Sequence, residues 1–344
     1  MMARMASDDI SPIIREKAPL ILAEIKKAKS ILLHCHPSPD PDSVGSALAM
    51  KLALEGMGKK VTVIRGDSRL PRAFSRFPGF GDIVDKSFGE VDLDSFDLFI
   101  ALDSASPGMI SQTEVPKFPL SISSIVIDHH SSNPSYGSIN LIDLSASSTA
   151  FILFKLFNEW GISLTHDIAT DLFIGLYTDS GGLKYPPTDY RTFAVAAELT
   201  RIAPDFAEQI FTMENSETKG SIYFRALALN SIEVFLDEHL VISAIKDSDI
   251  KLRGIMPEEM QGEGVPNILK SVIGWDIGIA MTEIEPNVIK VSMRTRDSGR
   301  FDLSKLASAI GGGGHRAASG ARLKMGLDEA KKLVVSKAKE LYNL

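Results

Sequence analysis

Apolar positions along this chain recur in two rhythms. Short runs, apolar on both sides, predict strands at 31–33, 61–64, 98–102 and 125–127, each bounded by turn-forming residues. Between and after them the spacing becomes helical, predicting helices at 43–56, 149–160, 167–177 and 190–202. Ser11-Pro12 reads as a helix start whose apolar spacing continues to Ile25. Strands alternating with helices predict an α/β domain built on a parallel sheet with helices on both faces. Pro204 interrupts the pattern, and the stretch from Asp205 to about Asn230 is helical and polar. Strand-like runs at 240–245, 277–281 and 288–293 and helical runs at 303–310 and 327–341 then predict a second, smaller α/β domain. The expected organisation is 1–204, a helical linker at 205–233, and 234–344.

Length agrees with two cores, since 344 residues exceed what one usually carries. Composition is that of a globular protein, 44% apolar and 24% charged, with no apolar run long enough to span a bilayer. Asp8 and Asp9 precede the first apolar stretch, unlike a secretory signal. The single cysteine, Cys35, excludes an internal disulfide framework and fits a cytoplasmic location. A net charge of −7 argues against a dedicated binder of long duplexes. From Pro286 to Lys324, however, eight basic residues face only Asp297 and Asp302, a local +6 that suits an anion-facing surface or a solvated face.

The densest candidate chemistry lies in His34-Cys35-His36-Pro37-Ser38-Pro39-Asp40-Pro41-Asp42-Ser43, between a predicted strand and a predicted helix. Strand carboxyl ends and helix starts form the usual ligand crevice of parallel sheets. Three prolines stiffen this loop, as rigid presentation of metal ligands requires. An N-cap accounts for Asp42 or Ser43 alone, but not for His36, Asp40 and Asp42 together. Asp103 closes the next apolar strand, Asp128-His129-His130 the one after, and Asp179 ends a helical run. Strand alternation turns Cys35 away from His34 and His36, so a thiolate site is not expected, and His34 is expected beside the site rather than as a ligand. Carboxylates with some imidazole suit manganese, or else iron or cobalt, better than structural zinc, and this many ligands would serve two ions sharing a carboxylate. Such a pair activates water and stabilises an in-line phosphoryl transition state.

His36-x-x-x-Asp40-x-Asp42, Asp103, Asp128-His129-His130 and Asp179 resemble, in order, the four motifs of the DHH phosphoesterases. Gly311-Gly312-Gly313-Gly314-His315-Arg316-Ala317-Ala318-Ser319-Gly320 resembles the signature of their accessory DHHA1 domain. The likeness runs from about residue 30 onward and is nearest the nanoRNase and pAp phosphatase subgroup. It implies that His36 and Asp40 bind one ion, that Asp42, His129 and Asp179 bind the other, and that Asp103 bridges both. It implies that His130 touches the scissile phosphate and that Asp128 supports its histidine neighbour. Ser147-Ser148-Thr149 would organise the site or simply cap a helix. Arg294, Gly312, Gly313, Gly314, His315 and Arg316 would hold the substrate, whereas a glycine tract alone is more often a turn. Ser104 stands where the family often has threonine.

The activity implied is manganese-dependent hydrolysis of short single-stranded RNA or DNA to mononucleotides, or of 3′-phosphoadenosine 5′-phosphate to AMP, with pairing of two chains through the first domain. Cyclic dinucleotides, polyphosphate or pyrophosphate are the competing substrates, and a non-catalytic nucleotide-binding protein is the competing class.

Overall fold

The computed structural model describes residues 9–37, 39–113, 116, 122–260, 264–314 and 316–344. The chain divides into two compact units, one ending at Ser216 and the other beginning at Glu217. In the first, strands β1 (Ser30–His34), β2 (Lys60–Ile64), β3 (Leu98–Leu102), β4 (Ser123–Asp128) and β5 (Ile139–Ile142) form a parallel sheet in the order β2-β1-β3-β4-β5. The chain leaves β1 to one side to make β2 and crosses to the other side to make β3. The switch point therefore falls between the carboxyl ends of β1 and β3, where an open parallel sheet leaves a crevice. His36 follows β1 and Asp103 follows β3, so topology alone brings them to the mouth of that crevice.

The helices of this unit are α1 (Pro12–Lys27), α2 (Pro41–Gly56), α3 (Thr149–Glu159), α4 (His166–Asp179), α5 (Tyr190–Ile202) and α6 (Phe206–Glu214). They share one core with Ile31, Leu33, Val61, Val63, Leu98, Ile100, Leu102, Ile125 and Ile127, alternate positions on one face of the sheet. The other face, carrying Leu32, Ile64, Phe99, Ala101 and Val126, is closed by Phe88, Leu93, Ile110 and Tyr136, from short 3-10 turns and loops. Helices thus flank the sheet on both sides but differ in kind. Ser11 caps α1 by accepting from the Ile14 amide, Pro12 opens the helix, and Ile14, Ala18, Ile21 and Ile25 form its buried stripe.

The second unit holds a six-stranded sheet in the order β10-β11-β9-β8-β7-β6. Its strands are β6 (Ile232–Phe235), β7 (Leu240–Ile245), β8 (Ile277–Glu285), β9 (Val288–Thr295), β10 (Gly313–Gly314) and β11 (Ala318–Lys324), antiparallel except for β7 with β8. Helices α10 (Leu303–Ala309) and α11 (Leu327–Tyr342) pack on one face; α7 (Lys219–Asn230), α8 (Asp247–Leu252) and α9 (Gly264–Ser271) pack on the other. The stretch read as a linker is two helices. Ile210 of α6 joins the first unit's core, and Phe224 and Ala228 of α7 join the second's.

Strand β3 and helix α5 lie where the pattern predicts them. Strands β5, β6 and β11 and helices α8 and α9 do not show in the pattern. β11 reads Ala-Ser-Gly-Ala-Arg-Leu-Lys, without alternating apolar positions, and is a strand because it pairs with β9 over seven residues.

Candidate metal centre

Three loops and one helix end deliver the side chains. After β1, His36 is fixed twice: its amide donates to Ser43 Oγ at 3.1 Å, and its Nδ1 lies 3.0 Å from the Pro37 carbonyl. Engaging Nδ1 in this way leaves Nε2 free to ligate. Asp40 is both cap and cluster member. One oxygen accepts from the Ser43 amide at 2.9 Å, while the other stands 3.4 Å from His36 Nε2.

Asp103 sits at the centre, only 2% exposed. Its Oδ2 lies 3.6 Å from His36 Nε2 and its Oδ1 3.5 Å from His129 Nε2. Each oxygen of one carboxylate thus faces a different imidazole. Its backbone is left-handed, with φ of +51°, a region that aspartate tolerates better than most residues. The turn is held at the next residue. The Ser104 carbonyl accepts from Asn133 Nδ2 at 3.1 Å and from the Tyr136 hydroxyl at 2.9 Å. The same Asn133 amide donates to Asp128 Oδ2 at 2.7 Å, tying the ends of β3 and β4 together.

Asp128 is fully buried and takes two further bonds on Oδ1, from the His129 amide and from His130 Nδ1, each at 2.8 Å. Three donors occupy it, so it positions both histidines. His129 Nε2 stands 3.2 Å from Asp179 Oδ2, yet it is buried without a hydrogen-bond partner of good geometry. An orphaned imidazole nitrogen facing carboxylates is what a missing cation would explain. Asp42 is held by the start of α3. Its oxygens accept from the Thr149 amide at 2.7 Å and the Ala150 amide at 3.0 Å, where the helix dipole favours an anion. Thr149 Oγ1 also donates to Asp103 Oδ1 at 3.1 Å. The Ser147–Thr149 segment therefore does both things expected of it, since Ser148 caps α3 by accepting from Phe151 at 3.0 Å.

Two glycines let this happen. A Cβ on Gly45 of α2 would fall 2.5 Å from the Asp171 carbonyl of α4, and one on Gly175 of α4 would fall 2.8 Å from Asp42 Oδ1. Close approach of these helices seats Asp42 beside Asp179. Donor atoms of His36, Asp40 and Asp103 lie within 4.8 Å of one another, as do those of Asp42, His129 and Asp179 and those of Asp103, Asp128, His129 and His130.

The electrostatics fit a cation. Burial disfavours charge on His36, but Asp103 and Asp40 outweigh it and push the imidazole up to about 11. His129 behaves alike: burial opposes its charge, and Asp103 and Asp179 raise it. Asp103 is pushed up by burial and pulled far lower by His129 and His36. Burial, then Asp103 and Asp179, drive Asp42 well above the carboxylate range. Carboxylates this close retain protons when only imidazoles offset them, and the donor set of oxygens and imidazoles suits divalent ions. Burial holds His34 down to about 4; it stacks on Phe99, 3.3 Å from Ser104 Oγ, beside the cluster. Cys35 points into the helical core, its thiol pushed up to about 12 by burial.

In the second unit, β9 and β11 place Arg294 opposite Ala318, beside the hairpin pairing Gly314 with Ser319 and Gly313 with Gly320. A Cβ on Gly312 would meet the Gly320 carbonyl at 2.2 Å, so the tract is a close-packed hairpin rather than a loose turn. Arg316 is exposed and 3.4 Å from Asp302. His315 lies outside the described residues. Arg296 donates to the Lys270 and Ser271 carbonyls and so caps α9. Asn133, Tyr136, Ala150, Gly45 and Gly175 escaped the sequence reading. Only the glycines carry a signal there, as glycine inside a helical pattern usually has a packing reason.

A family model described as "DHH family, N-terminal domain" matches residues 30–176, and one described as "DHHA1 domain" matches residues 259–343. The chain is 29% identical over 324 residues to the bifunctional oligoribonuclease and PAP phosphatase NrnA of Thermus thermophilus, covering 93% of each chain. It is 24% identical to the Bacillus subtilis protein of the same name, over 91% of this chain and 95% of that one. An exopolyphosphatase-related protein from Bacteroides fragilis shares the fold, with a TM-score of 0.84 at 23% identity over 96% of this chain and 98% of that one. No helix among the described residues is long and apolar enough to cross a membrane.

Proposed function

We propose that this chain, which belongs to the DHH/DHHA1 phosphoesterase family, hydrolyses short oligoribonucleotides to mononucleotides and 3′-phosphoadenosine 5′-phosphate to AMP, with two manganese ions as cofactor. The single observation that carries the reading is Asp103, whose two oxygens face the imidazoles of two separate ligand sets. His36, Asp40 and Asp103 would hold one ion, and Asp42, His129, Asp179 and Asp103 the other. The pair supplies water activation and charge neutralisation at phosphorus.

The chain's own residues supply the rest. Asp128 holds His130 Nδ1, which leaves Nε2 directed outward from a ring that is 41% exposed. Burial works against a proton on His130, but Asp128 and Asp103 raise its hold on one. A proton-bearing imidazole there donates to a non-bridging phosphate oxygen, where charge grows in the transition state. Asn133 and Tyr136 fix the turn that aims Asp103, and the α3 amides fix Asp42. In the second unit, Arg294, Gly312, Gly313, Gly314, His315 and Arg316 would bind phosphate or base of the nucleotide. The names of the relatives, oligoribonuclease and PAP phosphatase, support a nucleotide substrate.

The test is a panel of dinucleotide RNA, 3′-phosphoadenosine 5′-phosphate, cyclic di-AMP and polyphosphate, assayed with Mn2+, Mg2+ or Zn2+. The expected result is mononucleotide from the first and AMP from the second, fastest with Mn2+. Cleavage of polyphosphate alone, or of nothing, would sink the proposal. Metal uptake should also follow pH with a defined sign. With no cation to offset the carboxylates, His36 and His129 are raised well above neutrality and Asp42 well above the carboxylate range, and each must lose its proton to ligate, so roughly two to three protons should leave as metal binds. Affinity should then rise with pH. Mn2+ titration calorimetry at pH 7.5 in buffers of different ionisation enthalpy measures the number; no proton release would contradict this account of the cluster.

A further inference from the structure

The cluster has a closed side and an open side. Asp42, Asp103 and His36 are buried, whereas the side chains of Asp40 and Asp179 are 49% and 31% exposed and His130 is also open. Substrate must approach on the open side. Directly after Asp179 the chain makes a rigid reversal. Gly181, Gly182 and Leu183 are all left-handed, with φ of +61°, +67° and +66°. The Gly181 amide donates to the Thr178 carbonyl and the Gly182 amide to that of Tyr177; the amides of Lys184 and Tyr185 both return to the Ser180 carbonyl at 2.9 Å. Ser180 Oγ accepts from the Leu183 amide at 3.0 Å, and Leu183 anchors the loop on the core. Tyr185 is thereby fastened to the end of α4, six positions after Asp179.

Its ring lies across Gly181. A Cβ there would come within 2.4 Å of two ring carbons, so only glycine allows the ring to lie this close to the backbone. The side chain is nevertheless 60% exposed. The ring therefore meets the backbone at Gly181 and is otherwise largely open to solvent. Lys184 beside it is exposed and, among the described residues, forms no ion pair. A largely exposed aromatic held against the backbone, an unengaged cation and, six positions back along the chain, a member of the candidate metal cluster match the chemistry of a nucleotide.

We propose that Tyr185 is a specificity-determining residue, a stacking platform for the nucleobase next to the scissile phosphate. The inference rests on the nucleotide reading above and adds the group on the first unit that recognises a base. Stacking on an aromatic distinguishes base from no base without reading sequence, so a short oligonucleotide of any composition is accepted while a bare phosphate chain gains nothing. Supporting the ring from below by Gly181 removes rotamer freedom before substrate arrives, which reduces the entropic cost of binding.

The experiment compares kcat/KM for a ribodinucleotide with that for analogues in which each base in turn is replaced by hydrogen. For the full-length chain with Mn2+, the ratio of base-bearing to abasic substrate should fall about tenfold in Tyr185→Ala, through KM. Tyr185→Phe should keep the wild-type ratio, because the ring and not the hydroxyl stacks. An unchanged ratio in Tyr185→Ala, or an equal fall in Tyr185→Phe, overturns the proposal. If the wild-type protein cleaves neither substrate, the phosphodiesterase reading fails. The platform is then judged by fluorescence anisotropy of a labelled dinucleotide, where equal Kd for wild type and Tyr185→Ala overturns it and a weaker Kd in the variant upholds it.

Discussion

Asp103→Asn should lower turnover by roughly 10³-fold or more while leaving the fold in place. Asparagine is the best available control for shape. It fits the left-handed φ of +51° at least as readily as aspartate, and its carbonyl oxygen can still accept from Thr149 Oγ1. What it cannot do is present a negative oxygen to both imidazole-bearing ligand sets at once. Asp103 Oδ1 faces His129 and Oδ2 faces His36, so the loss falls on both halves of the centre. The kcat on a ribodinucleotide at saturating Mn2+ measures the effect, and thermal unfolding shows that the protein is intact. Activity within tenfold of wild type would remove Asp103 from the centre of the chemistry. Asp103→Ala should be as inactive and also less stable, because alanine tolerates a positive φ less well.

Gly175→Ala is the second large effect, and it acts without touching a ligand's identity. The new methyl would stand 2.8 Å from Asp42 Oδ1, 3.1 Å from Ala150 Cβ and 3.2 Å from Asp42 Cα. Nothing there is the free end of a flexible chain. Asp42 is buried and held by the Thr149 and Ala150 amides, so relief requires α2 and α4 to separate or the carboxylate to leave its donors. Overpacking of this kind costs about 1–3 kcal/mol of stability. A displaced ligand should also weaken metal binding by roughly 10–100-fold. Chemical denaturation and Mn2+ calorimetry read the two quantities separately. Gly56→Ala makes the comparison, since nothing lies within 4 Å of a Cβ there and a helical alanine should be neutral or stabilising by about 0.5–1 kcal/mol. Equal behaviour of the two variants would show that α2 and α4 do not need their close contact.

The positions that cluster were legible because their signals are local. Asp103 and Asp128 follow apolar runs that can only be buried strands, and buried strands of a parallel sheet open on one edge. The His36–Asp42 loop announced itself by three prolines and mixed ligands between a strand and a helix. The first domain's strand at Ile139–Ile142 gave no such signal, being four residues long and half-buried. β11 was hidden for a different reason: its residues have little strand preference and take their conformation from β9. Arg296 belonged to the basic stretch by charge, but its guanidinium caps α9, which composition cannot distinguish from a phosphate contact.

Residue order alone therefore determined which acidic and histidine side chains gather at one sheet edge, because strand ends and helix starts are set by neighbours a few positions away. Only the tertiary structure decided how each is aimed. The Thr149 amide reaches Asp42 across 107 positions, Asn133 binds Ser104 across 29, and Gly175 makes room for a carboxylate on another helix. Such contacts depend on how closely two packed surfaces approach, a distance fixed by side-chain volume at the interface, and no periodicity along one strand or helix encodes it.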